Sequence, residues 1–170
     1  MATIRPATID DAARIATTHV RSWQDAYRGL IPREYLDRLD PAQRLAMWKQ
    51  ILAYPAGGVL VAEDDSEVAG FASFGPARDD DQDPSLVGEI MAIYLAPAVW
   101  GKGLGRELMT AALAGLAAAG YAQVTLWVLD SNKRARGFYE AAGFRPDGSV
   151  KEDGSRGFVL REVRYRRRLP

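Results

Sequence analysis

Three closely spaced glycines between an apolar strand and an amphipathic helix constrain this 170-residue chain more than any other feature. Leu86 to Leu95 reads as a strand, Trp100-Gly101-Lys102-Gly103-Leu104-Gly105-Arg106 as a loop running into a helix over Lys102 to Ala119, and Ala122 to Leu129 as a second strand. Leu104, Leu108, Ala112 and Leu116 recur at four-residue steps, the stripe a helix needs to lie on a sheet. Strand, helix and strand in that order make a β-α-β unit. A helix N-terminus leaves backbone N–H groups unpaired and carries partial positive charge, and glycines let a phosphate approach them without a Cβ in the way. The loop therefore reads as a pyrophosphate cradle, with a purely structural tight turn as the alternative.

The spacing separates the nucleotides such a cradle could hold. Gly101, Gly103 and Gly105 give G-x-G-x-G, whereas the dinucleotide fingerprint requires glycine at position 106, which is Arg106. The acidic ribose ligand about 20 residues on is missing, and no Lys-Ser/Thr pair completes a P-loop. NAD and ATP are disfavoured.

Thr3 to Pro6 reads as a first strand, and Asp10 as the N-cap of a helix with Ala12, Ala16, Val20 and Trp23 on one face. Ile31-Pro32 breaks that helix, Pro32 and Pro41 open further helices, and Arg44 to Leu52 continues a helical pattern up to Tyr54-Pro55. Gly58 to Ala62 and Val68 to Phe74, separated by the charged stretch Glu63 to Glu67, predict an antiparallel hairpin. Ser131 to Ala142 predicts a helix ending at Gly143, followed by a Gly-rich loop and a strand over Phe158 to Tyr165. The expected class is α/β mixed, with helices on both faces of one sheet. One domain over residues 1–170 fits this length and a hydrophobic content of 48%.

Lys plus Arg and Asp plus Glu are equal at 22 each, so charge points to neither nucleic acid nor membrane. Arg164, Arg166, Arg167 and Arg168 make a basic end that could touch RNA, but a terminal strand with a solvated face explains it more simply. Glu89 interrupts the most apolar run, Leu86 to Trp100, so no stretch reaches membrane-spanning length. The absence of cysteine and of a visible secretory signal makes cytoplasm the default expectation. No metal is expected. There is one histidine, and the acidic segment Asp79 to Asp83 lacks the glycine and distal glutamate of a calcium loop, so it reads as solvated.

Trp100 to Gly105 resembles the cofactor motif of the GNAT acetyltransferases, Arg/Gln-x-x-Gly-x-Gly/Ala after a strand, with Gly103 and Gly105 matching and Trp100 departing at the first position. Ile93-Tyr94-Leu95 before the loop, Asn132 after the next strand, and Gly137 to Phe144 fall in the family's order. Ile4 to Ala7 and Arg161 to Tyr165 extend the likeness across most of the chain, although only Glu89 to Phe144 is specific. The resemblance implies a mostly antiparallel sheet splayed at the cofactor site, acetyl-CoA as donor, and a small-molecule amine or peptide N-terminus as acceptor. Many members pair, so a homodimer is compatible with it.

Within that resemblance, backbone groups of Ile93, Tyr94 and Leu95 hold the pantetheine arm, residues Trp100 to Arg106 hold the pyrophosphate, and Asn132 touches the arm. Asn132 could equally cap a helix. Glu89, 14 residues before Gly103, is the candidate general base, on the expectation that Ile90, Met91 and Ile93 desolvate it; the alternatives are a solvent-facing carboxylate or one that only orients the amine. Tyr139 is the candidate general acid for the thiolate, against a plain core aromatic beside Phe138. Trp23 and Tyr27, with Trp48, could line the acceptor pocket or simply fill the core, and His19 reads more readily as structural than as a base. Two rivals stand beside the transferase: a non-catalytic acyl-CoA-binding sensor, and a nucleotide-dependent enzyme.

Overall fold

The computed structural model describes residues 2–170. Seven strands form one sheet: β1 (Ala2–Pro6), β2 (Gly58–Asp64), β3 (Glu67–Pro76), β4 (Val87–Leu95), β5 (Gln123–Leu129), β6 (Arg145–Asp153) and β7 (Leu160–Arg168), in the order β1-β2-β3-β4-β5-β7-β6. All neighbours are antiparallel except β4 and β5, which the intervening helix forces to run parallel. The helices are α1 (Ala12–Ala26), α2 (Arg33–Asp37), α3 (Pro41–Ala53), α4 (Leu104–Ala118) and α5 (Lys133–Ala141).

Helices cover both faces, as the pattern predicts. On one face Ile15 and Ala16 of α1 and Trp48 of α3 meet Val61 and Phe71. On the other, the predicted stripe Leu104, Leu108, Ala112 and Leu116 is fully buried against Ala72, Ile90, Val124 and Leu126. Burying each such leucine contributes about 1.5–3 kcal/mol, which fixes α4 and hence the loop before it.

Local expectations fail where another residue supplies the same hydrogen bond. Asp10 does not cap α1: a 3-10 turn over Ile9–Asp11 comes first, with Thr8 at its cap and Asp11 reaching back to the Thr8 N–H at 2.8 Å. α1 also ends before Ile31-Pro32. Gly29 takes a left-handed φ of +82°, and the Tyr27 carbonyl accepts from both Leu30 and Ile31. Pro32 is the cap of α2, whereas Pro41 opens α3 as expected, with Asp40 accepting from the Ala42 N–H.

Two readings of the charged segments are corrected. Asp79 and Asp81 do not simply face solvent, because Arg164 binds both, at 3.1 and 2.7 Å, together with Asp147 at 2.6 Å. Arg164 is therefore buried rather than on a solvated face. A guanidinium with five donors can satisfy several carboxylates at once, and here it ties the loop before β4 to β6 and β7. β6 was expected to be a loop. Pro146 and Gly148 mask its strand pattern, yet as an edge strand it tolerates them through a register shift between Pro146 and Val150.

Candidate functional site

The site begins where β4 and β5 part. Their parallel register holds only from Val87–Gln123 to Glu89–Thr125. Just beyond, β4 carries a bulge toward β3: Phe74 pairs with Ile90 and Ser73 with Ala92, leaving Met91 as the extra residue. A bulge bends its strand and increases twist, so β4 swings away from β5. The Ala96 N–H donates to Ala69 O at 2.7 Å, and antiparallel alternation then makes Tyr94 and Ala92 the residues bonded to β3. The amide groups of Ile93 and Leu95 consequently face the gap. The Ile93 side chain packs into the core under α4, whereas the Leu95 carbonyl already accepts from Trp100 Nε1 at 3.0 Å and Ser22 Oγ at 3.1 Å.

A cavity of about 400 Å³ fills this gap, and its walls include Ile93, Tyr94, Leu95, Trp100, Gly105, Asn132 and Tyr139. Gly101, Lys102, Gly103, Leu104 and Arg106 are not among its walls; Leu104 points into the core. Gly101 and Gly103 have left-handed φ values of +76° and +85°, and a Cβ at either would meet nothing within 4 Å. They serve the backbone path of the loop and keep its outer side bare. Gly105 has a different reason: a Cβ there would lie 2.9 Å from Leu95 Cδ1. No backbone acceptor meets the N–H groups of residues 101–106, and α4 has no side-chain cap. A pyrophosphate fits that donor set. Trp100, where the family motif has Arg or Gln, carries the Arg134 guanidinium 3.7 Å from its ring centre, so a cation still reaches this wall, brought by α5.

Asn132 caps α5 through Oδ1 accepting from the Ala135 N–H at 3.2 Å, as its capping reading expects, and also lines the cavity. Tyr139 stands on α5 with its ring against Phe138, Phe144 and Tyr165. Burial pushes its phenol well above the ordinary range.

A second cavity, of about 480 Å³, is bounded by Trp23 and Tyr27 of the α1 end together with Arg78, Glu89, Lys151 and Glu162 among others. The two cavities share Tyr27, Ile90, Met91, Tyr94 and Trp127. Glu89 is buried there, which removes the solvent-facing alternative, but its environment is not the apolar one expected. Arg78 grips it with Nη2 at 2.7 Å from Oε2 and its backbone N–H at 3.0 Å from Oε1. Burial pushes the Tyr94 phenol up, partly offset by Tyr27 and Trp23 beside it; the Trp23 indole N–H is nevertheless left without a well-formed hydrogen bond.

Trp23 and Tyr27 thus line the second cavity, whereas Trp48 is core. His19 is buried, its Nδ1 accepts from Trp48 Nε1 at 3.1 Å, and it stacks under Tyr94. Burial, helped by Arg44, pushes it down to about 4, so it is a neutral structural residue. Sequence reasoning missed Arg78, Trp127, Lys151 and Glu162. The alternation of β5 and β7 places Trp127 and Glu162 at strand positions, but only pairing across the sheet brings them to one cavity. No group of residues able to hold a metal ion occurs among the described residues, and none of their helices is long and apolar enough to cross a membrane.

A seven-stranded mixed sheet splayed beside a glycine-opened helix is the architecture of an acyl-CoA-dependent transferase. Residues 20–144 match the Acetyltransferase (GNAT) family model. The chain belongs to that family and is an acetyl-CoA-dependent N-acetyltransferase, which makes its acceptor an amine. The uncharacterized N-acetyltransferase YuaI of Bacillus subtilis (strain 168) is 36% identical over 166 residues, covering 96% of this chain and 91% of that protein. Among solved structures, YncA from Salmonella typhimurium with its cofactor acetyl-CoA superposes with a TM-score of 0.75 at 25% identity, covering 100% of this chain and 95% of that one. PaiA N-acetyltransferase from Thermoplasma acidophilum in complex with coenzyme A shares the fold, with a TM-score of 0.77 at 21% identity over 99% of both chains.

Proposed function

We propose that this protein transfers an acetyl group directly from acetyl-CoA to a primary amine of a small molecule or peptide N-terminus. The observation that carries the proposal is the junction of the two cavities at Tyr27, Tyr94 and Trp127, with Tyr139 on one side and Glu89 on the other. Acetyl-CoA supplies a thioester whose carbonyl is open to attack and whose sulfur leaves as a thiolate. The bare N–H groups of residues 101–106 would bind its pyrophosphate, with Trp100, Lys102 and Arg106 beside them, and the gap along Ile93, Tyr94 and Leu95 would take its pantetheine arm next to Asn132.

The Ile93 N–H faces the gap and is the donor for the thioester oxygen, a role in which fixed backbone dipoles are effective because they need no reorganisation. Tyr139 donates its phenolic proton to the leaving sulfur, and the upward push from burial keeps that proton in place. Glu89 takes the proton of the amine. To do so it must free one oxygen from Arg78, whose side chain is 63% exposed and able to swing out. Trp23 and Tyr27 form the apolar wall for the acceptor.

Thiol release from acetyl-CoA across a panel of amines and short peptides, run with Tyr139→Phe and with melting curves, tests this reading. Turnover on one amine class, strongly reduced by the substitution, supports it. A raised melting temperature without turnover would favour a non-catalytic acyl-CoA sensor, and no response to acetyl-CoA would overturn both.

A further inference from the structure

Lys151 on β6 and Glu162 on β7 lie opposite each other, and Lys151 Nζ sits 3.9 Å from Glu162 Oε1. The same Nζ lies 4.3 Å from the ring centre of Trp127. A primary ammonium of the chain itself therefore already rests between a carboxylate and an aromatic face inside the second cavity, one ring away from the junction with the first. That combination is how proteins hold ammonium groups: the π-face attracts the cation and the carboxylate neutralises it.

Glu162 differs from its neighbours in how little holds it. Glu89 is gripped by Arg78 at 2.7 Å and Asp153 by Arg156 at 2.6 Å, whereas among the described residues the side chain of Glu162 has only the long Lys151 ion pair. Its side chain is 28% exposed and that of Lys151 47%. An exposed ion pair at this separation contributes little and is readily exchanged for another cation. The charge of Glu162 also reaches inward: burial pushes the Tyr27 and Tyr94 phenols up, and Glu162 adds to both.

We propose that Glu162 and the face of Trp127 form the seat for the primary ammonium of the acceptor, and that Lys151 occupies this seat as an internal competitor until an acceptor displaces it. The assignment rests on the transferase reading for its biological meaning, but the seat is a binding site that can be measured without turnover. It selects a cationic amine over a neutral isostere. It also makes an unusual demand, since removing the two members of one ion pair must shift amine binding in opposite directions.

The test titrates the full chain with n-butylammonium and, separately, with 1-butanol, following the intrinsic fluorescence contributed by Trp127 and Trp23 in the cavity wall. Saturable binding of the ammonium but not of the alcohol is expected. Lys151→Met should empty the seat and tighten n-butylammonium by about three- to tenfold, whereas Glu162→Gln should weaken it by about tenfold. Any result other than these opposite shifts overturns the seat, including parallel weakening in both variants or no saturation in wild type and Lys151→Met. The melting shift with acetyl-CoA is recorded on the same samples. Its absence would sink the transferase reading alone, and its presence with unmoved ammonium binding would sink the seat alone.

Discussion

Arg78, in the wall of the second cavity, binds Glu89 at 2.7 Å, its side chain 63% exposed and that of the carboxylate 2% exposed. A buried anion whose partner side chain is largely exposed can be uncovered without unfolding anything, but leaving it unpaired costs stability. Arg78→Met leaves Glu89 one backbone N–H and should lower stability by about 1–3 kcal/mol, read from chemical unfolding. Glu89→Gln should lower kcat by about 10²-fold with KM for acetyl-CoA unchanged. Wild-type kcat in Glu89→Gln would remove the carboxylate from the proton pathway.

Tyr139 offers a sharper separation of chemistry from binding. Tyr139→Phe keeps the ring contacts with Phe138, Phe144 and Tyr165 and deletes only the hydroxyl. A fall in kcat of about 10²-fold is expected, with the acetyl-CoA melting shift preserved. Because burial raises its phenol, the wild-type rate should not decline through loss of this proton up to about pH 10. A basic limb below that pH which vanishes in Tyr139→Phe would show that burial does not hold the phenol up, whereas a wild-type kcat in Tyr139→Phe would contradict the role.

The neutral His19 makes the fold sensitive to acid. Its folded value is about 4 against an ordinary 6.5, so the unfolded chain binds a proton that the folded chain refuses. Its contribution is therefore intact above about pH 6.5 and is lost as pH falls toward 4, by up to about 3 kcal/mol. His19→Gln retains an acceptor for the Trp48 indole and should flatten the melting temperature across that window. Parallel curves for the two proteins would show that other groups govern the acid transition.

At the cradle, Gly103 and Gly105 should respond differently to alanine. Gly103→Ala forces a Cβ into a left-handed φ of +85° and should cost about 1–2 kcal/mol of stability. Its methyl group enters open space beside the donors, so coenzyme A binding measured by calorimetry should weaken as well. Gly105→Ala meets the flexible end of Leu95 at 2.9 Å and gains helix propensity, so its stability change should be smaller. Equal losses at the two positions would mean that Gly103 is not held by its backbone angle.

Much of the first cavity's framework was legible because its determinants are local. The α4 stripe, the glycine loop and the Asn132 cap each lie within a few turns of chain, where periodicity and helix-end chemistry act directly. β6 was not legible because Pro146 and Gly148 carry local signals for a turn, and only pairing with β7 overrides them. The acidic loop was misread for a related reason: Asp79 and Asp81 look solvated until Arg164, 85 and 83 residues away, is folded beneath them.

The amino-acid sequence by itself determined the β-α-β unit and its glycine-opened helix, since short-range hydrogen bonding and hydrophobic periodicity specify these, and its motifs carried the resemblance to the family. Tertiary structure alone decided which charges meet. Arg164 reaches Asp79 and Asp81 from 85 and 83 residues away, while Arg78 meets Glu89, and Lys151 meets Glu162 beside Trp127, only because the chain folds back and its strands pair. Electrostatic partners are chosen by proximity in space and by burial, and neither is written in spacing along the chain.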